Sequence, residues 1–136
     1  LSHTRQHMYR SAIESVAYSV NQQLNIMLSH DVPIDQIFAV GGGVKNELWM
    51  QIVADVTGKE ISTPKITVGA SFGDALMAAS GIQYPGFESF DKLTDFIKPG
   101  KTYYPDMDHH QAYKKYQSIY DALYPATVDL MHRLSE

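Results

Sequence analysis

The chain has 136 residues, 44% of them hydrophobic and 19% charged, a composition that fits a single folded domain over residues 1–136 and excludes an intrinsically disordered chain. Eleven Lys and Arg against fifteen Asp and Glu leave a net charge of -4, so no basic nucleic-acid-binding surface is implied. Without cysteine there is no disulfide scaffold, thiolate zinc site or cysteine nucleophile, and no apolar run reaches the ~20 residues of a membrane helix; a cytoplasmic protein with no membrane partner is expected.

The chain opens Leu1-Ser2-His3 without an initiator Met, and helical patterning starts almost at once, which reads as a piece of a longer protein. From Thr4 to Ser29 apolar residues recur at Ile13, Val16, Ala17, Val20, Leu24 and Met27, one face of a long amphipathic helix closed before Pro33. Ile37-Phe38-Ala39-Val40 reads as a short buried strand, parallel to its neighbours. A second helix is predicted from Asn46 to Thr57, with Leu48, Ile52, Val53 and Val56 inward and Gly58 as its stop.

Glu60 to Thr63 reads as a strand ended by Pro64, and Ser71 to Ser80 as a small-residue helix stopped by Gly81. Its Ala75, Ala78 and Ala79 allow very close packing. Ser89 to Ile97 is read as a helical turn and Tyr103-Tyr104 as a strand. The last helix is predicted from Asp108 to Tyr124, with Asp108 and Gln111 as a capping box, Tyr113, Tyr116, Tyr120 and Leu123 on one face, and a break or kink at Pro125. This order argues an α/β layer structure. Three strands among four sizeable helices look like half of a larger architecture.

The chemically pointed segment is Gly41-Gly42-Gly43-Val44-Lys45-Asn46, between a predicted strand and a predicted helix. Glycines there let a ligand approach the main chain, and a helix start favours phosphate; the competing reading is a tight turn with no ligand. Lys45 fits either a phosphate partner or a solvated lysine. Asn46 fits two roles equally, a helix N-cap or an amide that reads a nucleotide base. A P-loop is excluded because Gly58-Lys59 is followed by Glu60, and the dinucleotide fingerprint fails because Asn46 stands where its third glycine belongs. Spacing alone gives a nucleotide or phosphate ligand.

The run from Gly41-Gly42-Gly43 through Leu48-Trp49-Met50-Gln51-Ile52-Val53-Ala54-Asp55 closely resembles the C-terminal half of the FGGY carbohydrate kinases. Gly69-Ala70-Ser71-Phe72-Gly73-Asp74-Ala75-Leu76 is similar to the family's next helix. His7-Met8-Tyr9-Arg10-Ser11-Ala12-Ile13-Glu14 matches the tail of its second signature, and Tyr120 to Pro125 is similar to the xylulokinase branch. The resemblance implies the C-terminal lobe of an actin-like, ribonuclease-H-like ATPase fold, partial and with flanking helices. It implies ATP and magnesium as cofactors, a sugar or polyol substrate held with the other lobe, nucleotide contacts at Gly41, Gly42 and Gly43, and an adenine contact at Asn46.

The family's catalytic aspartate would lie upstream, so no catalytic residue and no metal ligand is expected in this stretch, which should be inactive alone. Ser15, Val44 and the Thr67-Val68 pair depart from the family's usual pattern and blur the choice of sugar. The rival reading is a non-catalytic actin-fold module that senses nucleotide or sugar; an unrelated Rossmann-like domain stands behind it.

His3 and His7 share a helix face but lack a third ligand, and His109 and His110 read as solvated. Asp74 could approach nucleotide-bound magnesium, but its spacing from Ser71 favours a capping box; Glu14 fits a structural hydrogen bond, and Asp91, Asp95, Asp106 and Asp108 loop or cap positions. A surface stripped of its other lobe should expose apolar residues, so a homo-oligomer is expected.

Overall fold

The computed structural model describes residues 2–66 and 69–134. Thr67 and Val68, where the chain departs from the family pattern, lie outside the described residues.

Helix α1 runs from Arg5 to Ser29 behind Thr4, whose backbone N–H donates to His7 Nδ1 at 3.0 Å. Helix α2, Glu47–Thr57, starts at Asn46 and ends at Gly58 in the left-handed conformation, as the sequence predicts. Strand β1, Ile61–Pro64, leads to α3, Ala70–Gly81, then to the short α4, Phe90–Leu93, and a single 3-10 turn over Thr94–Phe96. Strand β2, Pro99–Tyr103, and the long α5, Met107–Arg133, close the chain.

Helix α2 is the centre of the core. Met50, Ile52, Val53, Ala54 and Val56 are all buried, because α1, α5 and the strands cover it on several sides, and a helix so enclosed is apolar nearly all round. Ile13, Ala17 and Tyr18 of α1, Ile61 of β1 and Tyr103 of β2 join the same cluster. Ile52 and Ile61 are its largest fully enclosed side chains. Leu48, predicted inward, is exposed, on a face of the first turn that borders an open groove beside α1. Val16 and Met27 of α1 are exposed as well, while Val20 packs on the core from its edge.

The sheet differs from expectation. The predicted strand at 37–40 makes one parallel bridge, Phe38 to Ser62, fixed by Ala39 N–H to Ser62 O at 2.8 Å and Ser62 N–H to Ile37 O at 2.9 Å. The parallel expectation for the 37–40 segment holds at that bridge, but strands β1 and β2 pair antiparallel, Ile61 with Tyr103 and Ser62 with Thr102. Strand β2 begins earlier than predicted because Pro99 and Gly100, which read as breakers, sit at its first positions, where a missing N–H is tolerated. At the irregularity between Ser62 and Pro64, Thr63 Oγ1 donates to Lys101 O at 3.1 Å.

Further expectations about the helices fail. Helix α5 is capped by Asp106, whose side chain accepts from the N–H groups of Asp108 and His109, so the Asp108–Gln111 capping box does not form. Of the break or kink expected at Pro125, the break does not occur, since the helix continues through it. Pro125 is exposed, and just beyond it the Thr127 hydroxyl donates to Leu123 O at 2.7 Å. Helix α3 starts behind Gly69, which places Ser71 inside the helix and dissolves its proposed box with Asp74. Ala75 and Ala78 are exposed, so this chain does not use the close packing they permit.

Candidate nucleotide-binding turn

The three glycines sit where the chain leaves the bridge at Phe38 and turns toward α2. Gly42–Lys45 forms one 3-10 turn before α2 begins, so the glycines do not open directly onto the α2 N-terminus as expected. Each glycine stands for a different reason. Gly41 has φ +99° and ψ -171°, a conformation that side chains with a Cβ rarely adopt. A Cβ on Gly43 would lie 2.6 Å from Cζ3 of Trp49, so that glycine is required by packing. Gly42 has neither constraint: its φ is not positive, and a Cβ there would meet nothing within 4 Å.

Asn46 forms the N-cap, with Oδ1 accepting the Trp49 N–H at 3.2 Å. Its Nδ2 donates to the hydroxyl of Tyr9 at 2.9 Å, a contact that sequence reasoning missed. The two residues are 37 positions apart and no spacing rule joins them. Lys45 is exposed and pairs with no carboxylate among the described residues. Lys101 of β2 lies 2.7 Å from Glu47 Oε1; that hydrogen bond holds its ammonium above the ordinary lysine value and ties β2 to the start of α2. The indole Nε1 of Trp49 is buried without a partner among the described residues.

Away from the turn, Glu14 has the structural role expected of it. Its Oε1 accepts from Arg10 Nε at 2.6 Å and from the Tyr113 hydroxyl at 2.9 Å, which joins α1 to α5. Of the tyrosine stripe, Tyr113 and Tyr120 pack on Tyr18, whereas Tyr116 and Leu123 are exposed. His3 and His7 meet edge to face. Among the described residues no three His, Asp or Glu side chains converge as metal ligands. His109 is exposed as expected, with Nδ1 3.2 Å from Asp55 Oδ2, whereas His110 corrects the expectation of a solvated ring: it is half-buried and lies against Gly58.

A glycine turn following a bridged segment at a sheet edge, with flanking helices on a common core, defines a partial, C-terminal α/β lobe of the actin-like, ribonuclease-H-like ATPase fold. Residues 1–82 match the FGGY family of carbohydrate kinases, C-terminal domain, and the chain belongs to that family. It is 32% identical over 129 residues to the xylulose kinase of Staphylococcus epidermidis, covering 94% of this chain and 26% of that protein. It is 33% identical over 135 residues to the L-xylulose/3-keto-L-gulonate kinase of Escherichia coli, covering 98% of this chain and 27% of that one. The crystal structure of xylulose kinase from Rhodospirillum rubrum superposes with a TM-score of 0.80 at 27% identity, covering 97% of this chain and 27% of that structure. The chain therefore spans about a quarter of the length of these relatives.

Proposed function

We propose that residues 1–136 act as one domain, the C-terminal nucleotide-binding lobe of an ATP-dependent sugar kinase. Its parent transfers the terminal phosphate of ATP to a hydroxyl of a pentulose such as xylulose, or of a related sugar or polyol. The observation that carries this reading is Gly42. Conformation explains Gly41 and Trp49 explains Gly43, but nothing in the chain's own packing asks for a glycine between them. Open space at a bare main chain is what an approaching phosphate or nucleotide uses. The names of the similar kinases support the choice of a sugar acceptor.

In this reading Gly41, Gly42 and Gly43 line the nucleotide, Lys45 offers a solvated charge to its phosphates, and Asn46 meets the adenine. ATP fits the turn, where a side chain at Gly42 would occupy the open space. The residues present do not build a magnesium site, since no ligand set converges among the described residues; the ion would be held by the phosphates. Phosphoryl transfer needs positioning, metal charge and a group that orients the attacking hydroxyl, and this lobe supplies part of the first. The base and the sugar contacts belong to the remaining three quarters of such kinases, which makes this lobe inactive alone. Among the described residues no helix is long and apolar enough to cross a membrane, and a cytoplasmic location fits an enzyme that draws on ATP.

A coupled ADP-release assay of the full-length parent over a panel of pentuloses and polyols tests the proposal. Turnover on at least one is expected. Nucleotide binding with no turnover on any sugar would instead support a non-catalytic sensing module of the same fold.

A further inference from the structure

The Asn46 amide is held at both ends. The Trp49 N–H requires an oxygen beside it, which fixes Oδ1 on the α2 side and turns Nδ2 toward α1. There the hydroxyl oxygen of Tyr9 accepts one of the two N–H bonds at 2.9 Å. One N–H of the amide then has no acceptor among the described residues. Tyr9 also borders an open surface groove with Arg5, Gln6, Arg10 and Leu48, next to the Asn46 amide that its hydroxyl holds. Tyr9 itself is exposed and outside the buried core, so packing does not account for its hydroxyl contact.

We infer that Tyr9 is a positioning residue for base recognition: its hydroxyl locks the Asn46 amide so that the remaining N–H faces a ring nitrogen of a purine. The inference rests on the reading of Asn46 as a nucleotide contact and adds to it the group that orients that contact. Without the hydroxyl the amide keeps its bond to Trp49 but loses the anchor that fixes its rotation, so the donor spends less time aimed at the base.

The test uses the full-length parent kinase with ADP and inorganic tripolyphosphate as probes. Asn46→Asp keeps a capping oxygen and removes the donor; Tyr9→Phe keeps the ring and removes the anchor. Both variants are expected to weaken ADP binding, Tyr9→Phe by about three- to ten-fold, the range of one hydrogen bond. For Tyr9→Phe, KM for ATP should rise with kcat and melting temperature unchanged, and tripolyphosphate, which has no base, should bind as before. Unchanged ADP affinity in Asn46→Asp would overturn the reading of Asn46 itself. Loss in Asn46→Asp but none in Tyr9→Phe would overturn the role of Tyr9 alone. Equal weakening of ADP and tripolyphosphate in Tyr9→Phe would show a distorted turn and overturn it too.

Discussion

The Asp55 carboxylate accepts the backbone N–H of Asp106 at 2.9 Å, so a side chain of α2 holds in place the residue that caps α5. Asp55 is only 2% exposed. Its Oδ1 also accepts from Gln51 Nε2 at 2.7 Å, and Oδ2 faces His109 Nδ1 at 3.2 Å. Asp106 in turn accepts from the His109 and Asp108 N–H groups. The His109 bond, opposed by slight desolvation and joined by the Asp108 bond, holds its carboxyl below the ordinary aspartate value. The main-chain oxygen of Asp55 meets His110 Nδ1 at 2.9 Å. One buried acid thus fastens the last helix to the helix that carries the glycine turn.

Replacing Asp55 by Ala should therefore be costly. It takes the acceptor away from the Asp106 N–H and the Gln51 amide and the partner away from the His109 ring, a loss of about 3 kcal/mol by the usual penalty for breaking charge-assisted buried bonds. Asp55→Asn keeps one oxygen for Asp106 and should cost less, about 1–2 kcal/mol. Urea unfolding of both variants checks the order. A loss below 1 kcal/mol in Asp55→Ala would mean the network contributes little.

The core helices were legible because their patterns are local. Ile52, Val53 and Val56 repeat at helical spacing, Asn46 precedes the run and Gly58 ends it, and all three signals fall inside one stretch of sequence. The glycine turn was legible as a turn between the 37–40 segment and α2 for the same reason. What escaped depends on distance. Asp55 reads as one letter of a helix until Asp106 and His109 arrive from more than fifty positions away, and Tyr9 gives no sign of Asn46. Strand β2 was under-read because Pro99 and Gly100 look like punctuation, although the end of an edge strand accepts both. The cap of α5 was misplaced by two residues because Asp106 and Asp108 are equally good capping types, and only the fold chooses between them.

The three glycines should separate under substitution. Gly41→Ala forces a side chain into an unfavourable backbone region, at a cost of about 1–3 kcal/mol. Gly43→Ala drives a Cβ into the Trp49 ring and should cost a similar ~1–3 kcal/mol from overpacking. Gly42→Ala meets open space and should leave stability within about 0.5 kcal/mol. In the parent kinase, Gly42→Val should nonetheless weaken ATP binding by obstructing the turn. Thermal melting of the chain and nucleotide titration of the parent give the two readings. Unaltered ATP affinity in Gly42→Val would remove the ligand role assigned to the turn.

The isolated chain carries exposed apolar side chains at Met77, Ile82, Tyr84 and Phe90, from α3 to the start of α4. Apolar surface of this kind marks an interaction face or an aggregation liability. Sedimentation velocity on the 136-residue chain is expected to show self-association that grows with concentration, and Met77→Lys with Ile82→Lys should reduce it. A sharp monomer boundary at high concentration would count against this.

Alkaline pH offers the last test. Tyr18 is buried between α1 and α5 and its ring meets Tyr113 and Tyr120. Burial first, then the nearby charges of Glu14, Tyr113 and Tyr116, push its phenol well above the ordinary 10.0. Tyr113 is raised too, chiefly by burial. Below pH 10 both phenols are protonated folded and unfolded, so their contribution is fully present. Above it the unfolded chain releases these protons while the folded chain keeps them, and stability falls as pH rises toward the folded values. Tyr18→Phe keeps the aromatic packing and removes one of the two groups. Its stability should therefore decline less steeply than wild type above pH 10, with the curves parallel between pH 7 and 9. Urea unfolding at intervals across that range measures the slope, and identical alkaline limbs in the two proteins would show that Tyr18 ionises as freely folded as unfolded.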